Sequence, residues 1–475
     1  MSSLVYNYLR IIINGTLIVL FIGFQTDALC SLTLLVWTNI LMYSLKDLGN
    51  RGMLFAYNIA FFTFLLGREF LEQFFGYEVE IFSKDVWFYT DFMLFISVLT
   101  YSGSYILFKR TNLKKISIKK VFYSPNPQYV RMIRKLSSIV FWIVLSGAIV
   151  YAVVFAVIVA TVGYIESYQP ENSDFFRESF IMRMLNRCEM ILPVALCSFY
   201  ATMPPKKECN IVTCGYLVYL FLTLFGGHRG LCVLGLLLLF VYYFYRNRYS
   251  TEGLWIKKKW IVSGCCVLPL FLILLTAMND LRSGNDVSFS SATDGLTNFV
   301  YQQGVSGIVI KRAHENENAL KSDSFYSLHF LNEGIFSLFN EESYQSGNSE
   351  EKAQSKKWMQ HTLPYILWEK WYLAGQGTGS SYIAELNQDF GLIGVILGNI
   401  LYGFILSKIT FFSRRYVFST AVKLIIVMQL LWAPRGGFTE FISIFFNPST
   451  LFALTFIYVG SALICKRSVK YIFNH

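Results

Sequence analysis

The sequence is poor in charge. Asp, Glu, Lys and Arg together make up 15% of its 475 residues, against 54% hydrophobic ones, whereas a soluble domain carries roughly 25% charge. An ordinary water-soluble domain is thereby excluded. Acidic residues are the scarcer sign, 30 against 41 Lys and Arg, which leaves a net charge of +11. Histidine is rarer still. His228, His314, His329, His361 and His475 are scattered along the chain, and no Cys/His spacing suggests a metal site, so no metal and no other cofactor is expected. None of the nine cysteines falls between Asp280 and Asp389, so that long segment has no disulfide framework and is expected to rest on neighbouring helices. The N-terminus lacks a charged leader and a small-residue cleavage site, so the first apolar run is expected to be retained. There is no internal repeat.

What the sequence has in excess is apolar length. A helix that crosses the hydrocarbon needs roughly 20 apolar residues, because no water is present to satisfy backbone groups that other conformations leave open. About twelve stretches meet that criterion: 11–26, 28–45, 53–75, 86–108, 137–163, 181–202, 210–226, 229–245, 260–279, 389–407, 418–434 and 447–465. The expected fold class is therefore all-α, a polytopic transmembrane helix bundle. It divides into nine helices over 1–279, one large loop over 280–388 between helices nine and ten, and three helices over 389–475.

Lys and Arg are retained in cytoplasmic loops. With the N-terminus inside, the inner loops collect most of the basic residues, among them Lys109, Arg110, Lys114, Lys115, Lys119, Lys120, Arg131, Arg134, Arg246, Arg248, Lys408, Arg414, Arg415, Lys466 and Arg467. Both termini are expected to be cytoplasmic and the large loop to face outward. The positive charge is then explained by topology and by attraction to membrane lipids, and a nucleic-acid partner is not needed.

Within the loop, Phe325, Leu328, Leu331, Ile335, Leu338 and Phe339 recur at helical spacing and predict an amphipathic helix. The polar stretch 340–357 reads as a connector. Trp358, Trp368, Trp371 and Tyr372 follow, suited to anchoring at headgroup level or to stacking on sugar rings, with anchoring preferred.

Ionisable groups inside or at the edge of spanning helices are costly, so each raises a functional question. They gather on the expected outer side: Arg183, Arg187 and Glu189 in the sixth helix, His228 and Arg229 at the junction of the seventh and eighth, Asp280 and Arg282 after the ninth, Arg312 and His314 in the loop, and Arg435 after the eleventh. Some could simply pair, Arg187 with Glu189 or Arg282 with Asp280. As a group they suit a diphosphate, because guanidinium is a permanently charged planar fork that matches phosphate oxygens two at a time. Glycines lie beside them, at Gly226, Gly227 and Gly230, at Gly375, Gly377 and Gly379, and at Gly436 and Gly437. They permit close backbone approach or mark ordinary turns.

The segments NRCEMILP (186–193), GGHRG (226–230), NDLR (279–282), YQQGVS (301–306) and GQGTGSSYIAELNQDFGLIGVILG (375–398) resemble the Wzy oligosaccharide repeat-unit polymerases of bacterial surface polysaccharides. The resemblance implies a GT-C-like glycosyltransferase in the bacterial inner membrane, active at the periplasmic face. Its substrates would be an undecaprenyl-diphosphate-linked oligosaccharide donor and acceptor, with a chain-length regulator protein as a further partner. The diphosphate is the leaving group, so fixed cations are the main catalytic requirement. Arg282 and Arg229 take that role, with Arg187, Arg435, Arg312 and His228 as substrate-binding groups. For the base that the attacking hydroxyl needs, the order is Glu385, His314, Asp280, with Glu189 also a candidate. Glu385 has a second reading as a carboxylate favoured at a helix start. Ser380, Ser381 and Tyr382 would bind sugar hydroxyls, or the serines would cap the tenth helix. An O-antigen ligase would share donor and arginines and differ in its acceptor. A flippase should show repeat halves and charges at the midplane.

Overall fold

The computed structural model describes residues 3–24, 27–77, 81–110, 121–163, 167, 179–250, 252–257, 259, 292–331, 348–409 and 411–466. The described residues form helices and no strands. Long helices run in order α1 (Ser3–Phe24), α2 (Ala28–Leu45), α3 (Leu48–Phe75), α4 (Lys84–Arg110), α5 (Pro127–Val162), α6 (Phe180–Ala201), α7 (Lys206–Phe225) and α8 (Arg229–Arg248). Two shorter ones, α9 (Ala292–Gln303) and α10 (Val305–Glu315), precede α11 (Met359–Leu373), α12 (Tyr382–Ile409), α13 (Val417–Trp432) and α14 (Pro448–Ile464).

Nine of the described helices are long and apolar enough to cross a membrane, or ten if the bent pair Glu440–Phe446 and Pro448–Ile464 is one span. That is a multi-pass membrane protein, with fewer qualifying spans than the sequence count of about twelve. With the bent pair counted as one span, two expected spans account for the difference. The expected ninth span, 260–279, lies outside the described residues. The sixth, α6, is 22 residues long but carries Arg183, Arg187 and Glu189, and has Pro193 in its interior.

Packing is close and partly polar, as expected where lipid tails offer no hydrophobic drive for helices to associate. A Cβ on Gly403 would lie 2.2 Å from the Tyr101 carbonyl oxygen, so glycine lets α12 meet α4 backbone to backbone. The Ser104 hydroxyl donates across the same seam to the Ile400 carbonyl at 2.7 Å. Deeper in, Tyr382 donates to Asn399 Oδ1 at 2.7 Å, Asn399 Nδ2 to Ser97 Oγ at 3.1 Å, and Tyr101 to Asn58 Oδ1 at 2.8 Å, all buried.

Described cations of the expected inner loops, Arg134, Arg246 and Arg248, lie at one end of the bundle. Arg134 donates to Thr202 Oγ1 at 3.1 Å and lies 3.5 Å from Glu208. Arg246 donates to the Pro204 carbonyl at 3.0 Å and sits 4.0 Å above the Trp255 ring. Arg248 lies 3.6 Å from Asp47. Because α8 has 20 residues, Arg229 at its start is about 30 Å from this cluster at 1.5 Å rise per residue.

Parts of the large loop pack into the bundle. α10 is pinned to α3 by Lys311, whose fully buried ammonium lies 3.0 Å from Glu69, 2.9 Å from Glu72 and 3.2 Å from the centre of the Trp87 ring. A π-helical stretch, Phe62–Leu66, interrupts α3 just before these charges. The expected amphipathic helix is described only to Leu331, and its later positions lie outside the described residues.

Candidate functional site

The end of the bundle opposite the basic cluster holds a cavity of about 1050 Å³. It is built where the separated motifs meet, and the segment Tyr301-Gln302-Gln303-Gly304 organises it. The Tyr301 hydroxyl accepts from Arg68 Nη2 at 2.9 Å, with the guanidinium 4.1 Å from the ring centre. Gln302 Oε1 accepts from Arg229 Nη1 at 3.1 Å. Gln303 Oε1 accepts from Arg435 Nη1. Three consecutive residues thus hold three arginines drawn from α3, α8 and the end of α13. A Cβ on Gly304 would come within 2.4 Å of Arg68 Cβ, so glycine is what lets the α9–α10 turn lie on α3.

Local chemistry sets the rest of the wall. Gly227, at φ +81°, turns the chain from α7 into α8 and leaves His228 and Arg229 at the cavity. A Cβ on Gly230 would lie 2.8 Å from the Trp432 ring, so α8 can approach the end of α13 only with glycine there. Gly375 and Gly379, at φ +90° and +73°, bend the loop between α11 and α12 along another side. Asn348 Nδ2 anchors that loop by donating to the carbonyls of Tyr372 and Gln376, each at 2.7 Å. Two carboxylates, Glu189 and Glu440, also line the cavity. Glu189 accepts from the Tyr219 hydroxyl, and Glu440 Oε1 from the Gly437 backbone N–H at 2.9 Å.

A second cavity of about 280 Å³ adjoins the first, sharing Gln429 and Glu440 with it. Its lining includes Tyr326, His329, Trp358, Gln360, Glu385 and Asn447. Asp389 places one side of it by accepting from the Tyr326 and Ser327 backbone N–H groups at 3.1 and 2.7 Å. His329 is held between Thr439 and Ser443, with Nε2 3.1 Å from Ser443 Oγ. Burial pushes its pKa down to about 4, so it is neutral near pH 7.

The residues singled out in the sequence divide accordingly. Arg229, Arg435 and His228 line the large cavity, and Glu385 lines the small one. Glu385 sits in the first turn of α12 and holds a corner together: Ser380 Oγ donates to Oε1 at 2.6 Å and the Phe438 N–H to Oε2 at 2.9 Å. Ser380, Ser381 and Tyr382 are buried and line neither cavity. Tyr382 points into the core, and Ser381 Oγ has no hydrogen-bond partner, so its side chain does not cap the helix. Arg187 donates to Ser449 at 3.3 Å. On α10, Arg312 pairs with Glu315 at 3.0 Å and His314 lies flat on Tyr89 at 3.7 Å, both away from the two cavities. Arg282 and Asp280 lie outside the described residues. The aromatic run splits: Trp358 enters the small cavity, Tyr372 is buried against His361 at 3.0 Å, and Trp368 and Trp371 are exposed.

Sequence reasoning passed over Arg68 and Glu440, and took Tyr301, Gln302 and Gln303 only as part of the YQQGVS motif, with no role of their own. Arg68 carried a usable signal, since it lies with Glu69 and Glu72 inside the third apolar run, where ionisable residues are expensive. For the glutamines the motif was the one signal, because a neutral amide in a loop shows no role until its partners are known.

No curated protein and no solved structure matches the chain. A family model, O-antigen polysaccharide polymerase Wzy, matches residues 5–468. The motifs that converge on the large cavity therefore sit in a chain that belongs, over nearly its whole length, to the Wzy O-antigen polysaccharide polymerases.

Proposed function

We propose that this polymerase is a GT-C-like glycosyltransferase joining undecaprenyl-diphosphate-linked repeat units at the periplasmic face, transferring the growing glycan onto the non-reducing end of one new lipid-linked unit. The observation that carries this is the grouping of Arg68, Arg229 and Arg435 on one cavity of about 1050 Å³. Breaking the bond between the anomeric carbon and its diphosphate moves charge onto phosphate oxygen, and prepositioned guanidinium groups stabilise that charge as it develops. Neutral Gln302 and Gln303 orient two of the arginines without adding negative charge of their own. The glycine-bearing loop at 375–379 leaves backbone at the wall, where a phosphate or sugar can approach closely.

The test is chain extension by purified, reconstituted protein given the lipid-diphosphate-linked repeat unit of the producing strain as sole substrate. A ladder of longer lipid-linked glycans is expected. Arg229→Ala and Arg435→Ala should each lower the extension rate by about 10²–10³, the cost of removing one transition-state donor, while the protein still folds. Intact protein that makes no ladder from its own repeat unit, or transfers glycan only when lipid A core is supplied, overturns the polymerase assignment.

A further inference from the structure

We infer that the smaller cavity is the acceptor subsite, taking the non-reducing terminal sugar of the incoming unit, and that Glu440 is the base that deprotonates its attacking hydroxyl. This assignment rests on the polymerase activity proposed above.

Four observations lead to it. The cavity, about 280 Å³, is of a size for one sugar ring and not for a diphosphate with its lipid. Its lining combines aromatic Trp358 and Tyr326 with the hydrogen-bonding groups of His329, Gln360, Glu385 and Asn447, the mixture of ring faces and fixed polar groups that binds a polyhydroxylated ring. Among the described residues its lining holds no arginine or lysine, in contrast to its neighbour, so it suits an uncharged ring better than a phosphate. Finally, Glu440 is the one carboxylate among the described residues that lines both cavities, a position from which it can take a proton from a hydroxyl in one while the anomeric carbon approaches from the other.

The glycine pair after Arg435 is built around this carboxylate. A Cβ on Gly436 would lie 2.5 Å from Glu440 Oε1 and 2.6 Å from Oε2, so only glycine leaves the carboxylate its position. The Gly437 N–H donates to Oε1 at 2.9 Å and orients it.

The step balances without a further reactant. The acceptor oxygen forms a bond to the donor's anomeric carbon as the bond from that carbon to the diphosphate oxygen breaks. The bonding pair leaves on the lipid diphosphate, held by the arginines, and the hydroxyl proton passes to the Glu440 carboxylate.

The experiment uses the reconstituted full chain, with the lipid-linked repeat unit as donor and a soluble, lipid-free repeat-unit oligosaccharide as acceptor at varied concentration. Binding of undecaprenyl diphosphate is measured in parallel. Glu440→Gln should lower kcat by 10²–10⁴, the range for general-base removal, with undecaprenyl diphosphate affinity within about twofold of wild type. Glu440→Asp should restore part of the rate. Trp358→Ala should raise the acceptor KM by about tenfold or more and leave diphosphate affinity unchanged, and Trp358→Phe should recover most of it. A Glu440→Gln protein with wild-type kcat, or a Trp358→Ala protein with wild-type acceptor KM, overturns the assignment. Should Glu440→Gln fail to fold, the two Trp358 variants decide the matter. Wild-type protein that makes no ladder at all would instead defeat the polymerase assignment, so the two failures are distinguishable.

Discussion

Lys311→Met provides the sharpest test of how the loop is joined to the bundle. The ammonium is fully buried, with Glu69 at 3.0 Å and Glu72 at 2.9 Å. At an effective dielectric of about 20, each contact is worth roughly 5 kcal/mol of gross Coulomb attraction, most of it offset by the cost of taking the ammonium out of water. Methionine fills similar volume but leaves two buried carboxylates, of which Arg68 serves only Glu72, at 2.8 Å. Removing one partner of a buried ionic cluster typically costs about 3–5 kcal/mol, and the lost cation–π contact with Trp87 adds in the same direction. Thermal unfolding of purified protein in one detergent, followed by tryptophan fluorescence, should show a melting temperature lower by roughly 5–10 °C, taking about 2 °C per kcal/mol. Lys321→Met, at an exposed position of the same segment, should move it little. Equal melting temperatures for the two variants would refute the idea that this cluster fastens α10 to α3.

Gly437→Ala places a Cβ 2.8 Å from His329 Cε1 and 3.2 Å from Glu385 Oε1, so it should destabilise the protein by about 1–3 kcal/mol through overpacking and reduce chain extension; Gly103→Ala, with open space around its Cβ, should do neither. Acid should weaken the fold through His329. Its folded pKa is depressed to about 4 from an ordinary 6.5 by burial, so the unfolded chain binds more protons between those values, and stability present above about pH 6.5 is lost as pH falls toward 4, by up to about 3 kcal/mol. His329→Gln should flatten that part of the melting-temperature profile, while an unchanged slope would show that other groups, such as the similarly depressed His361, carry it.

Much of this fold was legible because a membrane constrains a sequence locally. A span must be helical, apolar and about 20 residues long, so α2, α4, α6, α8, α13 and α14 fall within a few residues of the expected spans. The expected start at 389 for the tenth span instead coincides with a kink at Gly391, φ +61°. The preceding turns from Tyr382 are polar, with Glu385, Asn387, Gln388 and Asp389, and they remain helical because protein partners satisfy them, as Tyr326 and Ser327 do for Asp389. An apolar-run criterion does not register a helix whose polar side chains are paid for by tertiary contacts.

The site was legible only in its charges. The cost of placing an ion near lipid marks Arg229 and Arg435 from sequence alone, as it could have marked Arg68. It does not say which cations face one cavity: Arg312 has the same chemistry and pairs with Glu315 elsewhere. What assembles the site is contact between residues 73, 132 and 233 positions apart, Arg229 with Gln302, Arg435 with Gln303 and Arg68 with Tyr301. The sequence by itself determined most of the spanning helices, the uneven distribution of charge and the membership of a polymerase family, because each rests on local composition or on ordered motifs. Only the tertiary structure decided which arginines share a wall, that a second cavity without arginine or lysine among its described lining residues lies beside them and that Glu440 lines both. Those are properties of long-range packing, which helical period and spacing along the chain do not encode.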